Sequence, residues 1–287
     1  MSPNLTQLLI QQSAPEDESW QPVFFRLSEE TDAAALEKLL SNNPNIVVRD
    51  QILLQLKDLV KLENPQKTLT EEEYSEQIAF KLNGKTSDFY GVWVYYPWKR
   101  EIVHLLDEEE FIRVRTIRNA YKITFEEQRL LRTKKIGVIG LSVGQSVAMA
   151  MAMERIGGEI RIADFDNLEL SNMNRIRTGT SKIGNLKTHL VAQEIYELDP
   201  FFKVKIFSSG VNEKNISDFF SEGGMLDLLI EESDGIEIKI LAREFAKKSG
   251  IPVIMSMSDR GMLDVERFDY DKNYPILHGN IENGISY

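Results

Sequence analysis

The chain contains no cysteine, and it has only three histidines among its 287 residues. The absence of cysteine excludes a disulfide framework, a thiolate zinc site and a cysteine nucleophile. The histidines, His104, His189 and His278, do not have the spacing of a metal-binding motif. We therefore expect no zinc in this protein and no thioester or persulfide chemistry on the chain.

Long apolar segments are also absent, since no run approaches the roughly 20 residues that span a bilayer. The N-terminal stretch MSPNLTQLLIQQSAPEDESW is polar and acidic, unlike the basic-then-apolar pattern of a secretory signal. These two observations predict a soluble, cytoplasmic protein with no membrane partner.

Positive charge is scarce, because 34 lysines and arginines face 45 aspartates and glutamates and the formal net charge is −11. Nucleic-acid binding needs local basicity, so we expect no nucleic-acid partner. One anionic ligand held by a few cations remains compatible with this balance. The hydrophobic fraction of 42% supports a substantial core, and the length suits one large domain or two modest ones.

Residues 1–115 mix helix and strand signals and predict a smaller α+β N-terminal domain. Apolar residues at helical spacing predict three helices, over residues 32–42, 49–64 and 70–84. The third begins with a threonine cap and acidic residues and closes at Gly84. Residues 90–106 predict two strands around a Pro-Trp-Lys-Arg turn, with aromatic side chains that favour sheet packing over a binding face.

Residues 116–287 predict a second domain of a different kind. Thr124 and Glu127 form a capping box for a short helix near its start, and Asn215 is the expected cap of another. From Lys134 onward, nearly unbroken apolar strands alternate with helices. This pattern predicts an α/β fold with a Rossmann-like, mainly parallel sheet covered by helices on both faces. Ligands of such sheets bind at the carboxyl ends of the strands.

The stretch GLSVG, residues 140–144, follows the first of these strands and has two interpretations. It fits the G-x-S-x-G nucleophile elbow of hydrolases, for which Ser142, Asp234 and His278 occur in the required chain order. However, such an elbow normally follows several strands of its sheet, whereas Ser142 follows the first. The hydrolase interpretation is therefore disfavoured.

The alternative is a nucleotide-binding turn. Gly140 and Gly144 lie where a strand passes into a helix, whose N-terminus favours an anion. Asp164 ends the second strand, where a dinucleotide fold carries the acid that binds ribose hydroxyls. Ser142 and Gln145 replace the second and third glycines of G-x-G-x-x-G, and serine is small enough for close backbone approach.

The segment DFDNLELSNMNRIRTG and the later GNLK favour phosphoryl transfer over hydride transfer. They bring an amide, a guanidinium and an ammonium, from Asn172, Arg175 and Lys187, into one region after the second strand. Positioning and charge neutralisation carry phosphoryl-transfer catalysis. The segment EESD at the end of the fourth strand ends with Asp234, a candidate magnesium ligand beside a triphosphate.

Residues 134–270 resemble the ThiF/MoeB/HesA superfamily, whose adenylation domain also occurs in ubiquitin-activating enzymes. The segment ADFDNLELSNMNR resembles the family block D-x-D…S-N-L-x-R in residues and spacing. The resemblance implies an ATP- and Mg²⁺-dependent adenylyltransferase. It also implies a set of nucleotide-binding residues: Gly140, Ser142, Gly144, Asp164 and Asp166. Of these, Asp164 would bind the ribose.

The same resemblance implies roles in catalysis. Asn172 and Arg175 would contact or order the phosphates, and Lys187 would take the place of the family's phosphate-binding lysine. Asp234 would hold magnesium, and Arg118 would correspond to an arginine that reaches the ATP of a partner subunit in a homodimer. The implied reaction activates a carboxylate, such as the C-terminus of a small protein or peptide, as an acyl-adenylate and releases pyrophosphate.

The chain also resembles a bacterial branch of this superfamily in which a ThiF-like domain follows a small N-terminal domain. Longer members carry a nitroreductase-like flavin domain, which is therefore an expected domain or partner. Family members continue beyond the sixth strand, so we expect a fragment or a shortened member. Two other functions stay open: an NAD(P)- or flavin-linked oxidoreductase component, and a non-catalytic nucleotide-binding or scaffold module.

Overall fold

A computed structural model of the chain describes residues 7, 18–256 and 261–280. Its N-terminal part contains a four-stranded sheet with the order β1-β3-β4-β2. The strands are β1 (Val23–Phe25), β2 (Val47–Asp50), β3 (Val92–Tyr96) and β4 (Glu101–Leu105). The helices of this part are α1 (Glu30–Asn42), α2 (Ile52–Glu63), α3 (Glu71–Leu82) and α4 (Glu108–Thr116).

The predicted hairpin is confirmed, because β3 and β4 pair antiparallel around a 3₁₀ turn at Pro97–Lys99. Its aromatic side chains pack within this part of the molecule, and Trp93 stacks on His104 with ring centroids 3.9 Å apart. The helix predicted over 70–84 has the expected cap, since Thr70 and Glu73 form a reciprocal capping box. It ends at Leu82, two residues before the predicted Gly84, and is capped by Asn83, whose φ of 49° is left-handed.

The helix predicted over residues 49–64 starts later than expected. β2 runs through Asp50 and pairs in parallel with β4, so α2 begins only at Ile52. The Asp50 carboxylate accepts the backbone N–H of Ile52 at 3.1 Å and lies 2.9 Å from the His104 ring. The first two residues of the predicted helix, Arg49 and Asp50, therefore belong to the edge strand β2.

The second sheet has six strands in the order β10-β9-β8-β5-β6-β7. Its neighbours are parallel except for β10, which pairs antiparallel with β9. The strands are β5 (Lys135–Ile139), β6 (Glu159–Ala163), β7 (Lys203–Phe207), β8 (Leu228–Glu231), β9 (Val253–Ser256) and β10 (Leu263–Glu266). The helices are α5 (Phe125–Leu131), α6 (Gly144–Glu154), α7 (Lys187–Leu198), α8 (Ile216–Ser221) and α9 (Ile236–Ser249).

Helices cover both faces of this sheet, which confirms the predicted α/β class. On one face α6 and α7 pack their apolar residues, such as Ala148 and Ile195, on β5 and β6. On the other face α8 and α9 do the same with residues such as Phe219 and Ala242. β5 is central, with β6 on one side and β8 on the other, so the strand order reverses at its end. Such a reversal opens a crevice for ligands.

The short capped helices are predicted correctly, with one difference in detail. Thr124 and Glu127 form the expected reciprocal capping box at the start of α5. Asn215 does precede α8, but its side chain makes no capping bond to that helix. Its amide instead donates to the carbonyl of Gly210 at 2.7 Å and closes the preceding loop.

The N-terminal part packs on α7 and the residues that follow it. The Trp98 indole N–H donates to Glu197 at 2.6 Å, and the rings of Phe24 and Phe111 lie against Phe201. The predicted boundary between residues 115 and 116 falls inside the last turn of α4. None of the helices in the described part of the chain is long and apolar enough to cross a lipid bilayer.

Candidate functional site

A cavity of about 330 Å³ opens at the carboxyl ends of β5, β6 and β8, where the strand order reverses. Its walls come from the β5–α6 turn, the segment after β6, the loop after β7 and the β8–α9 loop. Several of the predicted site residues line it, namely Gly140, Ser142, Asp164, Asp166 and Asp234. The topology thus brings together side chains that are almost one hundred residues apart in sequence.

A somewhat larger cavity, about 380 Å³, lies between α4 and α5 and is lined by residues such as Ile112, Phe125 and Gln128. None of its lining residues comes from the loops at the carboxyl ends of the parallel strands. Open α/β sheets bind nucleotides at the switch point of strand order, so we place the candidate site in the strand-end cavity.

Gly140 forms the close contact on which the β5–α6 turn depends. Its φ is +84°, and an added Cβ would lie 2.6 Å from the carbonyl oxygen of Glu232. At the start of α6, a Cβ on Gly144 would lie 2.8 Å from Val138. Both glycines are therefore required by space, and Gly140 also by its backbone conformation.

Asp164 joins two of the loops that form the cavity. The residue is 8% exposed, and its carboxylate accepts the backbone N–H of Leu141 at 2.7 Å and that of Asp166 at 2.8 Å. Each carboxylate oxygen can accept a further hydrogen bond. Asp164 therefore fixes the turn and still has acceptor capacity for a ribose hydroxyl.

Lys187 lies directly behind the cavity wall. It is 4% exposed, and its Nζ donates to Asp166 Oδ2 at 2.8 Å and to Ser142 Oγ at 3.2 Å. An ammonium has three donors, so one remains for an anion. The hydroxyl that replaces the second glycine is thus a hydrogen-bond partner of the predicted phosphate-binding lysine.

The hydrolase triad is not assembled. His278 contacts the Tyr274 hydroxyl at 2.7 Å and the Asp264 carboxylate, both in the β10 region. Ser142 is instead bonded to a lysine. The geometry contradicts the nucleophile-elbow alternative, because the histidine that would serve as its base is engaged elsewhere.

Asn172 and Arg175 belong to a 3₁₀ turn (Leu170–Asn174) and the residue after it, and they do not line the cavity. The buried Asn172 accepts the backbone N–H of Glu169 at 3.0 Å, in a reciprocal cap. The exposed Arg175 guanidinium donates to Asn174 Oδ1 at 3.0 Å. Asn172 therefore orders the turn, whereas Arg175 is available to a ligand.

Asp234 and Glu231 differ sharply in their surroundings. Glu231 is fully buried and accepts the backbone N–H of Ser233 at 2.9 Å, Arg243 at 2.7 Å and Lys239 at 3.1 Å. Asp234 is exposed on the cavity wall, and within the described residues its carboxylate has no hydrogen bond or ion pair. Glu231 thus holds the loop that presents Asp234.

The carboxylates of the cavity suit a Mg²⁺ ion that is bound partly by the protein and partly by the phosphates of a nucleotide. Across the described ranges, no group of three or more acidic or histidine side chains is arranged to hold a metal alone. Magnesium usually keeps several waters and binds one or two carboxylates plus substrate phosphates. The Asp234 carboxylate, which has no hydrogen bond or ion pair within the described residues, meets this requirement.

Other residues that line the cavity were not predicted as site residues, among them Glu232 and Phe165. Glu232 accepts the backbone N–H of Ser256 at 2.8 Å, and burial raises the pKa of its carboxyl above the ordinary value. Phe165 lines the cavity with a ring that is 72% exposed, opposite Gly210 and Val211 of the loop after β7. The end of the third strand lies on the same sheet edge as the others, so topology alone would have indicated this loop.

Arg118 lies outside the cavity of its own chain. Its neighbour Asn119 donates to the carbonyl of Glu154 at 2.8 Å, at the C-terminal end of α6. The cavity lies at the other end of this 11-residue helix, about 16 Å away along its axis. A contact between Arg118 and a nucleotide would therefore involve another subunit, and its role stays a prediction.

A mainly parallel sheet with this cavity at its switch point is the part of the chain that matches a known family. The chain belongs to the ThiF family, whose family model matches residues 115–276. This membership confirms the superfamily that the sequence resembles.

Two relatives and one solved structure show the extent of the similarity. The chain is 44% identical over 187 residues to an uncharacterized protein of Mycobacterium tuberculosis, covering 65% of this chain and 26% of that protein. It is 31% identical over 153 residues to tRNA threonylcarbamoyladenosine dehydratase of Bacillus subtilis, covering 53% of this chain and 59% of the relative. More distant relatives are named adenylyltransferases.

The Escherichia coli tRNA N6-threonylcarbamoyladenosine dehydratase in complex with ATP aligns with a TM-score of 0.49 and 22% identity, over 56% of this chain and 65% of that one. The chain spans between a quarter and three fifths of the length of the first two relatives.

Proposed function

We propose that the chain binds Mg·ATP in the strand-end cavity and transfers AMP to a carboxylate. One observation carries this proposal: the buried Lys187, which has a spare donor, contacts Ser142 of the cavity wall, and Asp234, whose carboxylate is unpaired among the described residues, lines the same cavity. A triphosphate with its metal requires both charges. Membership of the ThiF family and the relatives named adenylyltransferases support the same reaction.

In the proposed reaction a carboxylate oxygen attacks the α-phosphorus of ATP. The bond from that phosphorus to the oxygen bridging to the β-phosphate breaks, so the products are an acyl-adenylate and pyrophosphate. The ionised acceptor has no proton to lose, and positioning and charge neutralisation therefore carry the catalysis. Lys187 and Arg175 would neutralise charge on the phosphates, and Asp164 would orient the ribose.

Asp234 would hold Mg²⁺ together with the phosphates. When bound, the ion supplies neutralisation of phosphate charge and a fixed arrangement of the leaving group. Glu231 would contribute through the loop that it holds, because its carboxylate is already occupied by Arg243 and Lys239.

As acceptor we propose the C-terminal carboxylate of a small protein or peptide. One relative acts, by its name, on a modified tRNA, but the net charge of −11 in this chain disfavours a polyanionic acceptor. Formation of a labelled acyl-adenylate from α-labelled ATP, with peptides ending in a free or an amidated carboxyl, tests this point. Reaction with unmodified and modified tRNA but with no peptide would contradict it.

The first test is thermal unfolding of the chain with Mg·ATP, with NAD and with neither. A ligand at 100 times its dissociation constant adds about 2.7 kcal/mol to the free energy of unfolding, which shifts the melting temperature by a few degrees. We expect stabilisation by Mg·ATP that is lost in Asp164→Ala and weakened in Asp234→Ala. The matched control is Asp218→Ala, an exposed aspartate on α8.

Stabilisation by NAD alone would contradict the proposal and favour the oxidoreductase alternative. No stabilisation by either nucleotide would contradict it as well, in favour of a non-catalytic module. Binding of Mg·ATP without transfer to any carboxylate of a broad panel would retain the site and reject the catalysis.

We further propose that two copies pair so that Arg118 of one reaches the nucleotide of the other. The position of Arg118 outside its own cavity supports this arrangement. Light scattering should give the mass of a dimer at micromolar concentration. Mixing Arg118→Ala with Asp234→Ala should restore a fraction of the activity that each variant lacks, and a monomer mass would contradict the pairing.

A further inference from the structure

Gln145 lies in the first turn of α6, at the position of the third glycine of a phosphate-binding turn. Its side chain is 1% exposed. Oε1 accepts the backbone N–H of Arg177 at 3.0 Å, and Nε2 donates to the carbonyl oxygen of Arg177 at 3.3 Å. One side-chain amide thus satisfies both backbone groups of a residue 32 positions later.

The amide is itself held by a carboxyl group on α7. Nε2 of Gln145 also donates to Glu194 Oε2 at 2.7 Å, and the Thr178 side chain bonds to the same carboxyl. Burial nevertheless raises the pKa of Glu194. We call Gln145, Glu194 and the backbone of Arg177 the Gln145 clamp. It connects α6, α7 and the segment after the 3₁₀ turn.

The clamp fixes the chain on one side of Arg175. On the other side, the backbone N–H of Arg175 donates to the Asn172 carbonyl at 3.1 Å, within the turn that Asn172 orders. The guanidinium itself is exposed, and within the described residues its hydrogen bonds are local, to Ser171 and Asn174. The backbone of this segment is therefore held at both ends, while the cationic side chain stays available.

We propose that Gln145 is a positioning residue that sets the Arg175 segment for contact with the phosphates of ATP. This inference rests on the proposed function, because it assigns a triphosphate to Arg175. A glycine at position 145 would leave the backbone N–H and C=O of Arg177 without these partners, at a cost in free energy and in fixed geometry. The glutamine that replaces the third glycine thus fixes the backbone at Arg177 by hydrogen bonds that a glycine could not make.

The test compares the affinities of Mg·ATP and AMP by calorimetry. In Gln145→Met, which removes both bonds to Arg177 at similar volume, we expect ATP to bind about tenfold more weakly, the value of one charged contact. AMP should bind with unchanged affinity, because Asp164 and the cavity walls are untouched. A general loosening of the fold would weaken both nucleotides alike.

The matched control is Gln193→Met on α7. Gln193 is equally buried and also donates to a backbone carbonyl, that of Ser19 at 2.7 Å, but it faces the N-terminal segment. It should retain the preference for ATP over AMP. Hydrogen exchange at the Arg177 amide should be faster in Gln145→Met and unchanged in Gln193→Met.

A rescue variant tests whether Gln145 positions the Arg175 segment or only stabilises the fold. In the double variant Gln145→Glu/Glu194→Gln, the new carboxylate still accepts the Arg177 N–H, and the new amide donates to that carboxylate. We expect it to recover most of the lost preference for ATP. If Gln145→Met does not fold, the single variants decide. Glu194→Gln should retain the preference, whereas Gln145→Glu, which places a second carboxyl group against Glu194 with no amide between them, should lose it.

The outcomes distinguish this inference from the proposed function. If Gln145→Met exchanges faster at Arg177 but keeps the wild-type preference for ATP, the positioning role is overturned and the proposed function stands. The reverse order of the two single variants overturns it as well. If the wild-type chain binds neither nucleotide, the proposed function is overturned, and this inference falls with it.

Discussion

At the residue scale, Gly140 is the position where one added methyl group should have the largest effect on the site. Gly140→Ala places a Cβ 2.6 Å from the Glu232 carbonyl oxygen and forces a side chain to a φ of +84°. The left-handed conformation alone costs about 1–2 kcal/mol, and the clash adds to it. We expect a loss of at least about 2 kcal/mol in the free energy of unfolding, together with loss of nucleotide stabilisation.

Gly184→Ala is the control for this prediction. Gly184 has a φ of +96°, but an added Cβ would meet nothing within 4 Å. It therefore reports the conformational cost without the clash, and denaturant unfolding of both variants isolates the contact. Equal losses in the two variants would show that the approach of the turn to the β8–α9 loop is not tight.

Glu194 makes stability depend on pH. Its pKa is raised in the folded state, chiefly by burial, so the folded state favours the neutral carboxyl. The corresponding stability is present below the unfolded pKa of about 4.5 and is lost as pH rises through the folded pKa. Glu194→Gln should therefore be more stable than the wild type at pH 8, with a smaller difference at pH 4.

Urea unfolding at the two pH values measures this difference. Glu244→Gln, an exposed glutamate on α9, serves as the control and should show no such trend. A stability difference in Glu194→Gln that does not change with pH would contradict the prediction.

The sequence reveals those site residues whose roles depend on their neighbours in the chain. Gly140 and Asp164 follow from the position of a strand end and a turn, and both line the cavity. Gln145 appears in the sequence only as a broken pattern, because its partners Arg177 and Glu194 are brought to it by tertiary structure. Residues that act through a distant backbone group leave no spacing signal.

At the element scale, a buried cluster of charges connects β8, α9 and β10. Arg243 donates to Glu231 at 2.7 Å and is also bonded to Glu266, and all three side chains are essentially inaccessible. Arg243→Met leaves Glu231 with Lys239 alone and removes the cation that pairs with the buried Glu266. Removal of one partner of a buried pair costs about 3–5 kcal/mol, so we expect a loss of that size in urea unfolding.

The comparison is Arg267→Met, which breaks an exposed pair with Asp269 just after β10. Exposed pairs contribute little because water screens them, so its unfolding curve should match that of the wild type. Similar losses in both variants would contradict the account. Because Glu231 also accepts the Ser233 N–H, Arg243→Met should weaken Mg·ATP binding as well.

The elements were predictable where their pattern is long. Strands of the parallel sheet and their helices follow from apolar runs and periodicity, and the capping boxes at Thr70 and Thr124 mark two helix starts. β2 was missed because its residues Val47–Asp50 form a short, exposed edge strand that runs directly into a helical pattern. Its pairing with β4 depends on tertiary structure, and the residues of β2 carry no local sequence pattern that predicts it.

At the scale of the whole molecule, Asp199 joins the two sheet-containing parts. It is fully buried and accepts Arg115 of α4 at 2.8 Å and Arg155 at the end of α6. Asp199→Asn leaves two largely buried guanidinium groups without a counter-charge. We expect a loss of about 3–5 kcal/mol and a separation of one unfolding transition into two.

Calorimetry of the full chain detects both effects. Glu154→Gln is the control, since Glu154 pairs with Lys122 in a partly exposed bridge near the same end of α6. A single, unshifted transition in Asp199→Asn would show that the junction depends on its aromatic contacts alone. The sequence predicted neither the Asp199 ion pairs nor the aromatic contacts of the junction. Phe24, Trp98 and Phe201, for example, come together only when both parts have folded.

The position of β5 also constrains how the chain is made. Ile136 of this central strand pairs with Leu228, so the strand lacks one neighbour until the ribosome has delivered the β8 segment. Pairings between segments so far apart form slowly, whereas the N-terminal sheet closes within itself. We expect the first part of the nascent chain to fold early and to offer its surface to α7. The nucleotide cavity would then be completed late in translation, on a template that the same polypeptide has already built.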